Sequence, residues 1–193
     1  MRLVVGLGNP GPQYKSHRHN VGFQALDALW QRASGSEWRE RFTGLAARAV
    51  VAGEEVLLIK PQTFMNLSGR TVQKALQELR LRPLDALVLH DELELPFGEL
   101  RAKRGGGHGG HNGLRDITAA VGADFGRLRI GIGRPLQGTV EHHVLSPFRP
   151  EEAALLGPVL ERAVDLVELA LGAGLDEAIL RTNPLPRAPR KAP

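Results

Sequence analysis

Two spacings of apolar residues divide the chain into strand-like and helix-like segments. Short apolar runs bounded by turn residues are typical of strands, and they occur at Leu3–Leu7, Leu45–Val51, Val56–Ile59, Ala86–His90, Leu100–Lys103 and Leu128–Ile132. Apolar positions repeat with the helical period at Val21–Ala33, Asn66–Leu81, Gly113–Val121, Pro150–Leu171 and Leu175–Thr182. This alternation predicts an α/β fold, a single three-layer domain with a central β-sheet flanked by helices. Gly53 and Glu54 join two strands as a hairpin, so we expect the sheet to be mixed.

Length and composition are typical of one domain. The chain has 193 residues and no cysteine, which excludes disulfides, thiolate catalysis and cysteine-based zinc sites. We expect the domain to occupy residues 1–183, and residues 184–193, rich in proline and basic side chains, to form a flexible tail. No apolar stretch is long enough to span a bilayer, and Met1–Gly8 is typical of a core strand rather than a signal peptide. We therefore expect a cytoplasmic protein with no membrane association.

The segment Gly105–Gly113 is the most informative stretch of the chain. It holds six glycines in nine positions, interleaved with His108, His111 and Asn112. Such a backbone lies close against a ligand and can turn its N–H groups toward oxygen atoms. Helical spacing follows, so we expect the loop to open a helix whose N-terminus attracts oxygen ligands. A flexible linker is the alternative, but linkers seldom interleave His and Asn with Gly ahead of an amphipathic helix.

Basic residues cluster on both sides of this segment. The formal net charge of the chain is +4, and the cluster comprises Arg101, Lys103, Arg104, Arg115, Arg127, Arg129 and Arg134. A patch that binds phosphates and a merely solvated basic face both explain such a cluster.

The turn after the first strand matches the glycine spacing of a dinucleotide-binding motif, but the residues around it do not fit that motif. Gly6–Gly11 has the spacing G-x-G-x-x-G, but Pro10 and Pro12 flank the third glycine and helical spacing starts only near Val21. We interpret the segment as a sharp turn at the end of a strand that presents Asn9, with a plain Asn-Pro-Gly turn as the alternative.

Two further residues are candidates for proton transfer at the same sheet edge. His19 lies between the turn and the first helix, and Asp91 ends a buried-strand pattern. A carboxylate that orients an imidazole fixes its tautomer and raises its basicity, which suits a general base acting on water. Alternatively, Asp91 caps a turn and His19 has only a structural role.

A polar loop follows the strand that ends at Lys60. It carries Phe64, Met65 and Asn66 to the head of the next helix. Asn66 is either an N-cap beside two core side chains or a carboxamide that grips a substrate beside an apolar wall. No serine has a nucleophile-elbow context. The pairs His108/His111 and His142/His143 lack a third ligand, so we expect no metal site.

Taken in order, these segments closely resemble bacterial peptidyl-tRNA hydrolases. The matching stretches are Val5–Gly11, Tyr14–Gly22, Lys60–Gly69, His90–Glu92 and Gly105–Gly113, and Val144–Phe148 is also similar. Phe97 and Arg104 depart from the family, which commonly has proline and an uncharged residue at these positions.

The resemblance implies hydrolysis of the ester between a peptide and the 3′ ribose of tRNA, by a monomer that needs no cofactor. It implies His19 as general base, Asp91 as its orienting partner, and Asn9, Asn66 and Asn112 as ligands of the peptide's amide and carbonyl groups. Either Asn9 or Asn112 is expected to stabilise the oxyanion. The other expected substrate or tRNA contacts are Tyr14, Phe64, Met65, His111, Arg101, Lys103, Arg104 and Arg134.

Two other functions remain as alternatives. A non-catalytic RNA-binding protein of the same fold has no use for the pair of His19 and Asp91. An amidase or esterase for small substrates leaves the arginine cluster without a role.

Overall fold

The computed structural model describes residues 1–183, which form seven strands and six α-helices. The strands are β1 (Arg2–Gly6), β2 (Arg39–Arg41), β3 (Gly44–Val51), β4 (Glu54–Pro61), β5 (Ala86–Glu92), β6 (Leu100–Arg104) and β7 (Gly126–Gly131). The helices are α1 (Val21–Arg32), α2 (Ser68–Leu79), α3 (Asn112–Val121), α4 (Val140–Val144), α5 (Pro150–Gly172) and α6 (Leu175–Thr182). The tail expected at residues 184–193 lies outside the described residues.

All seven strands belong to one sheet of order β2-β3-β4-β1-β5-β7-β6. The four central strands β4, β1, β5 and β7 are parallel to one another, whereas β2, β3 and β6 pair antiparallel with their neighbours. The mixed sheet and its β3–β4 hairpin are therefore confirmed. Because parallel strands end at the same edge, the loops after β1, β4 and β5 converge there.

Helices cover both faces of the sheet, which confirms the three layers. Alternate residues of a strand point to opposite faces, and in β1 the side chain of Val4 lies in one buried cluster while Leu3 and Val5 lie in the other. The Val4 cluster includes apolar residues of α1, α5 and α6, and the Leu3 cluster includes those of α2 and α3. Burial of these apolar side chains is the main contribution to the stability of the domain.

The first turn of α1 lies directly against the sheet edge. Phe23 N–H donates to the carbonyl of Leu7 over 3.1 Å, and a Cβ at Gly22 would lie 2.3 Å from the carbonyl oxygen of Leu89. Only glycine permits this approach. This close approach of Gly22 brings His19, three residues before it in the chain, over the end of β5.

Two elements were absent from the sequence-based prediction, and the element boundaries differ from it by up to two residues. The missed elements are β2 and α4. Their sequences, Arg-Glu-Arg and Val-Glu-His-His-Val, are too short to show a repeating pattern of apolar residues. The helix expected from Asn66 begins at Ser68, because Met65–Leu67 forms a separate 3₁₀ turn. Within residues 1–183 no helix is long and apolar enough to cross a membrane.

Candidate active site

A cavity of about 630 Å³ opens where the parallel strands end. It brings together nine of the predicted site residues, namely Asn9, His19, Phe64, Met65, Asn66, Asp91, His111, Asn112 and Arg134. The opposite wall comes from Val140, Val144 and Leu145. Sequence reasoning missed this wall because α4 is short and polar.

His19 and Asp91 form a buried hydrogen-bonded pair in the cavity. His19 Nδ1 lies 2.9 Å and 3.0 Å from the two carboxylate oxygens of Asp91, and the residues are only 8% and 3% exposed. A carboxylate accepts only, so Nδ1 carries the proton when the ring is neutral. The lone pair of the neutral ring is then on Nε2.

A second imidazole approaches the same carboxylate. His111 Nε2 lies 2.8 Å from Asp91 Oδ1, while its Nδ1 accepts hydrogen bonds from the backbone N–H groups of Gly113 and Leu114 at the start of α3. Because Nδ1 accepts, the ring proton is on Nε2 and points at Asp91. The sequence suggested a substrate contact for His111; its bond to Asp91 joins residues twenty positions apart and has no local signal.

The pKa shifts in this cluster follow from burial and from its charges. Burial raises the pKa of Asp91, but the charges and hydrogen bonds of His19 and His111 outweigh it and hold this pKa well below its usual range. Burial lowers the pKa of His19, but the charge and hydrogen bond of Asp91 outweigh it and leave this pKa above 6.5. Asp91 therefore stays ionised, and His19 is a stronger base than a free imidazole.

His19, Asp91 and His111 are also spaced as metal ligands are, with one ligand atom of each within 4.8 Å of the others. The hydrogen bonds of His111 argue against that use. Its Nδ1 accepts from the backbone of α3, so the Nε2 that faces Asp91 carries a proton and offers no lone pair. In this hydrogen-bonded arrangement the three residues do not present the three lone pairs that a metal ion requires.

Asn9 is fixed in one orientation by three hydrogen bonds. Its backbone N–H and C=O pair with the side chain of Asn20, each over 2.9 Å, and its Oδ1 accepts from Met65 N–H over 2.8 Å. Because Oδ1 is engaged, the NH₂ group is the part of the carboxamide left for a ligand. Sequence reasoning missed the role of Asn20, which lies eleven positions away.

The other carboxamides and the aromatic residues are more accessible. Asn66 is exposed, and its side chain makes no hydrogen bond within the described residues. Asn112 is exposed too, and its Oδ1 accepts from Arg115. Phe64 is 58% exposed at the rim, and Tyr14 meets its ring edge-on with 6.5 Å between centroids.

A further buried histidine, His90, contacts both Asp91 and His111 from within the sheet. His90 Nδ1 lies 2.8 Å from the backbone carbonyl of Asp91, and its ring packs edge-on against that of His111. Burial, together with nearby positive charge, lowers the pKa of His90 to about 3, so it stays neutral. No local pattern predicts this position for His90, which ends an apolar run.

The predicted basic cluster divides into several environments. Arg101, Lys103 and Arg104 lie on β6 and do not line the cavity. Four cations pair with carboxylates, namely Arg101 with Glu99, Arg104 with Asp176, Arg129 with Glu92 and Arg134 with Glu94. Lys103 has no carboxylate partner in residues 1–183. The inclusion of Arg127 in an exposed patch is wrong, because only 2% of Arg127 is exposed.

Comparisons with known proteins agree with this geometry. The family model described as peptidyl-tRNA hydrolase matches residues 3–191. The peptidyl-tRNA hydrolase of Sorangium cellulosum is 49% identical over 191 residues, which cover 97% of this chain and 86% of that protein. That of Geobacter sulfurreducens is 48% identical over 183 residues, covering 94% and 95%. The crystal structure of peptidyl-tRNA hydrolase from Acinetobacter baumannii has a TM-score of 0.89 at 38% identity and 97% coverage of both chains. This chain therefore belongs to the peptidyl-tRNA hydrolase family.

Proposed function

We propose that this chain hydrolyses the ester bond between the peptide and the 3′ ribose of peptidyl-tRNA, with His19 as general base. The observation that carries the proposal is the buried pair of His19 and Asp91, which leaves the His19 Nε2 lone pair in a cavity lined by carboxamides. We also propose that the enzyme acts as a cytoplasmic monomer, as the resemblance to the family implies.

In the proposed reaction, a water molecule attacks the ester carbonyl carbon while His19 Nε2 takes its proton. The resulting imidazolium is stabilised by Asp91, whose own pKa keeps it ionised. When the tetrahedral intermediate collapses, the C–O bond to the ribose breaks and the imidazolium returns the proton to the 3′ oxygen. The products are a peptide with a free carboxyl group and a tRNA with a free 3′ hydroxyl.

We assign the oxyanion contact to Asn9 rather than Asn112. A donor stabilises developing charge best when it is already oriented and shielded from water. The Asn9 side chain is held by Met65 N–H, and the residue is 7% exposed, whereas Asn112 is exposed and engaged with Arg115. Asn112 and Asn66 then remain for the peptide's own amide and carbonyl groups.

The neutral carboxamides also explain a preference for substrates with a blocked amine. A peptide N–H and C=O can each pair with a carboxamide. The protonated amine of an ordinary aminoacyl-tRNA has to lose water there without gaining an opposite charge, which is costly. The site is therefore expected to spare aminoacyl-tRNA that has not entered a peptide.

Asn66→Asp tests this origin of selectivity. The new carboxylate offers an ammonium a partner and removes a donor, so the ratio of kcat/KM for N-acetyl-phenylalanyl-tRNA to that for phenylalanyl-tRNA should fall by about tenfold. Asn66→Ala is the control, since it should slow the blocked substrate without favouring the free amine. An unchanged kcat/KM ratio in Asn66→Asp would show that Asn66 does not determine the selectivity.

Lys103→Ala tests the contact with tRNA phosphates. Lys103 has no carboxylate partner in the described chain, so it is ready to pair with a phosphate, and its loss should make the slope of log Kd against log salt shallower by about 0.7–0.9. The matched control is Arg48→Ala, because Arg48 is exposed on β3 at the far side of the sheet. Equal slopes for Lys103→Ala and the wild type would argue against this contact.

The proposed function is tested by release of N-acetyl-phenylalanine from its tRNA ester in the presence of a chelator. We expect fast release from the blocked ester and slow release from phenylalanyl-tRNA. Tight binding of tRNA without release would favour the non-catalytic RNA-binding protein. Equal activity on a small blocked ester that carries no tRNA would favour the small-substrate esterase.

A further inference from the structure

The glycine segment Gly105–Gly110 has to run back along the sheet to reach the active site. Arg104, at the end of β6, lies opposite Gly126 at the start of β7, whereas Asp91, which His111 contacts, lies opposite Ile130. That interval along β7 corresponds to about 13 Å. Four glycines of the segment have positive φ, Gly105, Gly106, Gly109 and Gly110. Such a backbone has many accessible conformations unless other residues hold it.

Arg127 holds the middle of this segment. It extends from β7, and its Nη1 and Nη2 donate to the carbonyl oxygens of Gly107 and Gly106, each over 2.6 Å. Gly105 N–H donates to the backbone carbonyl of Phe125, which precedes β7. The guanidinium is a planar fork that fixes two neighbouring carbonyls at once.

Stability alone does not account for an arginine at this position. Arg127 has no carboxylate partner in residues 1–183, and its Nε has no hydrogen-bond partner there. Burial and the charge of Arg129 lower its pKa. A buried cation without a paired carboxylate costs stability, which the contact of its guanidinium with the Phe125 ring, 4.7 Å to the centroid, offsets only in part. The two carbonyls that it binds belong to exposed glycines, which water would otherwise satisfy.

We propose that Arg127 is a positioning residue, which acts by fixing the glycine segment so that His111 reaches Asp91 and Asn112 faces the substrate. The inference rests on the proposed function, because it concerns how the same site is assembled. Arg127 itself touches neither the cavity nor the reacting atoms. Its effect on the reaction passes through the backbone of Gly106 and Gly107.

Arg127→Met separates positioning from stability. Methionine fills a similar space without charge, so the melting temperature should stay within about 4 °C of the wild type. The hydrogen-bonded amides of Gly105 and Gly110 should exchange with solvent at least about tenfold faster, and KM for N-acetyl-phenylalanyl-tRNA should rise by about tenfold or more. Arg127→Lys should give intermediate values, because one ammonium group binds a single carbonyl well.

Arg162→Met is the matched control. Arg162 lies in α5 and donates to the carbonyl of Gly98 over 2.8 Å, outside the cavity, so its loss should change neither KM nor exchange in residues 105–110. If Arg127→Met keeps the KM of the wild type, or keeps its amide exchange rates in residues 105–110, the inference is overturned. If Arg127→Met does not fold, an unchanged KM in Arg127→Lys overturns it equally. If even the wild type releases no product, the proposed function fails, and the exchange rates alone decide whether Arg127 holds the segment.

Discussion

Replacing His19 with alanine is expected to lower kcat for N-acetyl-phenylalanyl-tRNA by about 10²–10⁴-fold. Without the imidazole the cavity loses the base that Asp91 orients, while the carboxamide donors and the tRNA contacts remain. The dissociation constant for tRNA should therefore change little, since His19 is buried beside Asp91 and away from β6. Single-turnover release and a tRNA binding assay measure the two quantities separately.

A matched control for this change is His142→Ala. His142 is exposed on α4 and does not line the cavity, so its loss removes an imidazole without touching the site. Release that persists at the wild-type rate in His19→Ala would eliminate His19 as the base.

Replacing Asp91 with asparagine is expected to lower kcat by a similar factor, about 10²–10⁴-fold. The carboxylate accepts hydrogen bonds from both His19 and His111, but a carboxamide has a single oxygen. The tautomer of His111 is locked by the N–H groups of Gly113 and Leu114, so His111 retains that oxygen. His19 Nδ1 then faces the NH₂ group and accepts from it, which moves the ring proton to Nε2 and removes the base.

The double variant distinguishes this explanation from a loss of folding. If His19 and Asp91 act as one unit, Asp91→Asn combined with His19→Ala should be no slower than His19→Ala alone. Asp165→Asn is the control for the substitution itself, because Asp165 pairs with Arg32 at the surface. If the loss of kcat in the double variant equals the product of the two single losses, the two residues act independently.

Three of the residues that sequence analysis brought to the site share one property, a position at or after the end of a strand that ends at the same sheet edge. Asn9, Asn66 and Asp91 are of this kind, and the parallel order of β4, β1 and β5 is what places them together. His19 was found because it precedes α1. Strand ends and helix starts leave a local signal in the chain, which is why these positions were predictable.

The connections among those residues were not predictable in the same way. The bonds of His111 to Asp91, of Asn20 to Asn9 and of Arg127 to Gly106 each join distant positions through one polar atom. No periodicity marks such a contact. Sequence analysis grouped Arg127 with its charged neighbours in the chain. In the structure its side chain is buried and binds the glycine segment.

The pH dependence of single-turnover release by the wild type, measured with a chelator present and corrected for spontaneous ester hydrolysis, shows whether His19 is the base. His19 acts as a base only when neutral, and Asp91 raises its pKa above 6.5, so the rate should be lost as pH falls through a single ionisation with its midpoint above 6.5. A rate that is independent of pH through this range, or one lost only when the chelator is added, would contradict a metal-independent reaction with His19 as its base.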